Sequence, residues 1–495
     1  MRRLPALIGF VVGALALVIV ARDAPAERDP VFSVVPVAWM PSAPPDDLST
    51  ESVSTWFCPG VPISLDDGIG GQILIANRGD DPVNARVQWL GTDDDDQSTT
   101  AVDGLDGTVI SEGEAPVEQL VVEPRTIALL EAGLRREAAF VSAVVEVDGA
   151  AIVEQRIEHP DGNPVTPCAD STAATWFVAE GFTADGSTNE IVLTNPFDDV
   201  VIVDLAFATA DGARVPAAYQ GIPLAPRSVE VIDLGAPGAG AQEEELLAVR
   251  VEATRGELVL GRAQSFSGDR RGYAMTLGAP ALRDQWWFAD GEVADGIDTQ
   301  YSIYNPTTSD VEVDVVLLGI SDLGFVEPIR VPARRVVTFD PAEIDDLPPG
   351  RHAVVFSTRS EPSIVVERTV TRTVDGRPST SVLLGAPPRF DGYVSNRWHL
   401  VSVPRESAPA SLVLYNVDNI DGLVTVEAIG PEGPVAVPGL IDIELPAAAI
   451  LTIDIGNLGE FAGRELTVTS TTRIFAERSL PSGSGRTAAW AIPAE

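Results

Sequence analysis

Lysine is absent from this sequence: all 33 basic residues are arginines, set against 73 Asp and Glu, for a formal net charge of −40. A surface that acidic repels phosphate backbones, which excludes nucleic acid as a partner class. It also repels anionic lipid heads unless divalent cations bridge them. Histidine is scarce as well. His159, His352 and His399 lie far apart, and none falls in an HExxH or HxxEH spacing. No GxSxG elbow is present. The chain is therefore read as a non-enzyme, with no catalytic residue and no cofactor assigned. The two cysteines, Cys58 and Cys168, are too few to hold a structural metal by themselves. A convincing helical stripe is missing too.

What is present begins with MRRLPALIGFVVGALALVIVARDAPA. Arg2 and Arg3 precede an apolar run from Leu4 to Ala21, and Ala24-Pro25-Ala26 has the form of a cleavage site. Residues 1–26 read as a secretory signal or a retained anchor, and both place the rest of the chain outside the cytoplasm. In that compartment Cys58 and Cys168 are expected to form a disulfide. Residues 27–50, rich in Pro, Ser and acids, read as a tether, although VFSVVPVAWM inside it could dock as a strand.

The remainder repeats itself. Trp56, Trp176, Trp286 and Trp398 lie 120, 110 and 112 residues apart, each on a short aromatic strand. Asn77, Asn195, Asn305 and Asn416 follow at spacings of 118, 110 and 111, each ending one apolar strand before a turn and a second strand. A Pro and an alternating strand come next. A strand then ends in Arg156, Arg262, Arg368 or Arg478, at spacings of 106, 106 and 110. The internal period is two, and Val, Ile and Thr dominate. About seven strands per unit predict an all-β chain of four tandem β-sandwich, immunoglobulin-like repeats, over residues 51–168, 169–280, 281–389 and 390–495. The short connections favour a rigid rod or arc.

The strings W-F-x-A-E/D-G, L-x-L-x-N-P, V-x-V and I-V-x-E-R, best seen in residues 175–204 and 285–315, resemble a repeat of secreted bacterial surface proteins. The whole chain resembles the actinobacterial secreted family known as domain of unknown function 5719. That resemblance implies architecture but no activity. The fourth unit departs most, since NRWHLV lacks the acidic-Gly pair.

The asparagines are read as turn caps entering the left-handed region, and the arginines as a structural pair or strand-end cap. Trp286 and Trp287 are the candidate pair for ligand stacking, because alternation sends one ring inward and one outward. An outward ring needs a neighbouring domain or a ligand. The acids Asp66, Asp67, Asp93–Asp96, Asp103 and Asp106 would suit Ca²⁺ if any ion, but their spacing matches no EF-hand or nonapeptide loop, and they are read as solvated. Arg78-Gly79-Asp80 sits in the repeat's turn and is read as coincidence. The expected role is a structural spacer or scaffold of the cell envelope. The alternative is a binding module for an envelope glycan or protein.

Overall fold

The computed structural model describes residues 41–44, 52–92, 115–320, 326–345, 347–359, 361–387, 394–401, 403–404, 408–482 and 485–494. The signal or anchor, most of the tether, and the acidic run Asp93–Asp106 lie outside them. Among the described residues all regular structure is antiparallel strand, apart from 3-10 turns of three residues each.

The chain builds the same pair of sheets four times. In the second unit, one sheet has the tryptophan strand Thr175–Val178 beside Leu247–Arg255, which pairs with Val201–Thr209. The other sheet runs Ser228–Asp233, then the asparagine strand Thr188–Asn195, the arginine strand Val259–Phe266, and the closing strand Gly272–Leu277. The corresponding order recurs in the other three units. Of the strands named, those from the tryptophan strand to the arginine strand alternate between the sheets, and the arginine and closing strands then pair as a hairpin within one. Period-two alternation buries one face of each strand, as in Val201, Val203, Leu205 and Phe207.

Trp56, Trp176, Trp286 and Trp398 are each buried within their unit, and three of them donate their indole N–H to main-chain carbonyls. Trp176 reaches Leu258, Trp286 reaches Ile364, and Trp398 reaches Ile474, at 2.8–2.9 Å. The acceptor residue lies at or just before the start of the arginine strand, so the ring fixes how the two sheets meet. A buried ring needs such a partner for its polar edge.

The asparagines act as clamps. Each is fully buried and its Nδ2 donates to three carbonyls; for Asn305 these are Ser309, Val331 and Pro332. Asn77, Asn195 and Asn416 make the equivalent bonds. In every case Oδ1 accepts from the backbone N–H two residues on, at 2.9–3.0 Å. The expected left-handed backbone is found elsewhere. It falls on the Pro turn that the clamp holds, at Arg125, Arg227, Arg334 and Ala448, with φ of 51–56°.

The units do not form a rod. The fourth packs against the first as well as against the third, and apolar clusters run through the junctions. Residues 41–44 complete the closure. Ala43 pairs in parallel with Ala494, donating to Pro493 at 2.9 Å, while Arg78 of the first unit donates to the Pro44 carbonyl.

Candidate functional site: the junctions around the closing strands

The closing strands Val165–Pro167, Gly272–Leu277, Arg377–Leu384 and Gly485–Trp490 converge around an apolar cavity of about 50 Å³, lined from all four units by residues including Thr166, Met275, Leu383 and Trp490. Beside it runs a belt of buried ion pairs. Arg262 of the second unit meets Glu367 of the third at 3.4 Å. Arg368 of the third meets Glu477 of the fourth, and Arg478 of the fourth meets Glu154 of the first. All six side chains are at most 1% exposed. Adjacent strand residues face opposite ways, so Glu367 points to the second unit while Arg368 points to the fourth.

Two of the three glutamates do more than pair. Glu367 Oε2 accepts the N–H groups of Ala179 and Glu180 at 2.8 and 2.6 Å, and Glu477 Oε2 accepts those of Ala289 and Asp290 at 3.2 and 3.1 Å. The paired arginines donate to the carbonyls of Glu180 and Asp290. A carboxylate from one unit therefore caps the end of its neighbour's tryptophan strand. Burial pushes the Glu477 carboxyl up, against the pull of Arg368.

The strand register corrects one predicted marker. Gln155, not Arg156, stands opposite Ile73 as Arg262, Arg368 and Arg478 stand opposite Ile191, Tyr301 and Leu412. The expected glutamate of the second unit is Gly261, opposite Val192. The junction between units one and two thus lacks both charges. Gln155 instead bonds both main-chain groups of Gly60, at 3.2 and 2.9 Å. A Cβ at 261 would meet Pro59 Cβ and O at 2.8 Å. Replacing both partners avoids the unpaired buried charge that replacing one would leave.

An outer set of contacts repeats the circuit. Arg125 donates to the Pro431 carbonyl of the fourth unit, Arg227 to Gln88 of the first, and Arg335 to the Ala210 carbonyl of the second.

The predicted disulfide is present. Cys58 and Cys168, both fully buried, are bonded across 110 residues. In the third unit the corresponding positions are Phe288 and Gly385. A Cβ on Gly385 would lie 2.9 Å from the Phe288 ring. The first unit replaces a large-against-glycine contact with a covalent one.

The stacking pair is corrected as well. Trp286 is fully buried in its own unit. Trp287, the outward ring, stacks on Phe475 and Tyr415 of the fourth unit with centroids 5.3 and 6.0 Å apart. The neighbouring unit, not a ligand, covers it. Arg78 of the RGD string is buried 3.5 Å from Glu465. Asp66 and Asp67 sit on an exposed 3-10 turn. Among the described residues no group of three or more His, Cys, Asp or Glu is placed to hold a metal ion.

A second cavity, about 430 Å³, opens between the first and fourth units, with Arg156, Glu158, His159 and Asn163 on one side and Pro404 and Pro481 on the other. Sequence reasoning set His159 aside for want of a motif. The turn-rich string HPDGN around it was the available signal.

No curated protein matches this sequence. The solved structure of Thermotoga maritima 1070 is similar over 21% of this chain and 93% of its own, at 10% identity and a TM-score of 0.20, too low to inform the fold. A family of unknown function, DUF5719, matches residues 137–386, half of the chain. On that match, the chain belongs to the DUF5719 family.

Proposed function

We propose that this chain is a non-catalytic, extracytoplasmic structural protein of the cell envelope: an acidic scaffold held at the membrane by, or released from, its N-terminal segment. The supporting observation is that the repeated polar residues are engaged inside the body. Asn77, Asn195, Asn305 and Asn416 clamp turns, and Arg262, Arg368 and Arg478 bridge units. Repetition of this kind serves rigidity. The buried disulfide fits an oxidising compartment, and the net charge of −40 keeps such bodies apart and away from anionic polymers.

The test is alkylation of intact cells after denaturation without reductant, combined with protease shaving of spheroplasts. The scaffold reading expects Cys58 and Cys168 to be blocked and the chain to be cleaved from outside. Free thiols in a protease-protected pool would overturn it.

A further inference from the structure

The cleft between the first and fourth units lies where the first unit departs from the repeat, and the register shift shapes its wall. Gln155 fills the place in the first unit that an arginine fills elsewhere. Arg156, one residue on, is therefore left out of the belt and lines the cleft. The arginine strand of this unit, Ala151–Glu158, then runs into the loop His159–Asn163.

Two neighbouring units hold that loop. The His159 ring stacks on Tyr273 of the second unit, centroids 4.2 Å apart. Asp161 pairs with Arg271 of the second unit at 2.7 Å. The Asn163 N–H donates to Ser482 of the fourth unit at 2.5 Å. Gly162 is pressed so close that a Cβ would meet the Tyr273 carbonyl at 2.9 Å and the Ser482 hydroxyl at 3.1 Å. The polar wall is thus preorganised before any ligand arrives.

Its chemistry is mixed and close to neutral. The Arg156 guanidinium donates to Gln72 and lies 3.6 Å from Glu158, so the charges balance. His159 Nδ1 accepts the Asp161 N–H, which leaves the ring proton on Nε2. Burial pushes the imidazole down, away from the cationic form. Asn163 Oδ1 accepts the His159 N–H, leaving its amide donors available for other partners. The opposite wall, with Val403, Pro404, Leu480 and Pro481, is apolar. A cavity of about 430 Å³ falls within the usual range for small-ligand sites.

We infer that the cleft lined by Arg156, Glu158, His159 and Asn163 against Pro404 and Pro481 binds an uncharged sugar residue of a glycan. Paired planar donors and acceptors suit vicinal hydroxyls, and proline faces suit the C–H side of a pyranose ring. An anionic ligand would face Glu158 and the field of a −40 body. A cationic one would find stronger sites over the whole acidic surface. This inference goes beyond the scaffold reading and does not depend on it.

The test titrates the full chain, in detergent, against neutral oligosaccharides of glucose, galactose, mannose and arabinose, with uronic-acid oligosaccharides as the charged arm. Saturation-transfer NMR is the readout. The expected result is saturable binding of at least one neutral sugar, weakened tenfold or more in Arg156→Ala and His159→Ala. Glu158→Gln keeps a carbonyl acceptor in place of the carboxylate and should stay within threefold. Circular dichroism and the unfolding midpoint of each variant establish that it is folded, and Trp287→Ala serves as the control at the old candidate. No saturable neutral sugar would overturn the inference. So would binding only of uronic acids, or binding that Arg156→Ala leaves unchanged in a folded protein.

Discussion

Replacing Glu477 by Gln tests the belt at its best-defined junction. The carboxylate accepts two backbone N–H groups of the third unit and pairs with Arg368, and both side chains are 1% exposed. A glutamine oxygen can still serve Ala289 and Asp290. Its amide N–H₂ would then face a guanidinium that has lost the Glu477 carboxylate. Breaking a buried pair from one side costs about 3–5 kcal/mol, because the remaining charge stays desolvated. Replacing Arg368 by Met should cost a similar amount. The double variant removes both charges, as nature has done with Gln155 and Gly261, and should cost about 2 kcal/mol or more less than the sum of the singles. The assay is urea unfolding, followed by tryptophan fluorescence and far-ultraviolet dichroism together, since coincident transitions are needed before a free energy is quoted. If Glu477→Gln falls within about 0.5 kcal/mol of wild type, or the double variant is additive, the belt does not hold the junction.

Three further outcomes follow from the same contacts. Burial raises Glu465 from 4.5 to about 7. Its contribution to stability is full below pH 4.5 and lost as pH rises toward 7, so stability should fall over that window by on the order of 3 kcal/mol at about 1.4 kcal/mol per pH unit; Glu465→Gln should flatten the profile, and an unchanged slope would refute the assignment. Asn305→Ala strands three carbonyls and the Thr307 N–H and should cost about 2–3 kcal/mol in urea unfolding, with Asn305→Asp no rescue because it lacks donors. Reducing Cys58–Cys168, which closes 110 residues, should cost about 4–5 kcal/mol on the chain-entropy account; a loss under about 1 kcal/mol would mean the belt alone fixes the first unit.

Much of this was legible in the residues. Strand periodicity, the Trp and Asn spacings and the Pro turns are local signals, and local signals survive in one sequence. The off-by-one error at Arg156 shows the limit. AIVEQR ends in arginine as its three relatives do, and only cross-strand pairing with Ile73 shows that Gln155 holds the belt position. Ring closure was not legible for a different reason. Glu154 and Arg478 are 324 residues apart, and nothing local links them. Glu-Arg at successive positions of a strand was nonetheless a usable sign. Two adjacent charges on a buried strand face opposite sides, and both need partners from outside their own sheet. Trp286-Trp287 gave the same kind of sign: the outward ring demanded a cover, and the fourth unit supplies it.

The central claim is that four repeats close on themselves through Arg478–Glu154 and the Ala43–Ala494 strap. Small-angle X-ray scattering of the purified chain tests it most directly. A closed body of this length should give a radius of gyration of about 23–27 Å, whereas four units of about 13 Å strung end to end would give roughly 40 Å. A value in the lower range, raised by Arg478→Ala, is what closure predicts. A value near the upper figure in the unaltered protein would contradict it.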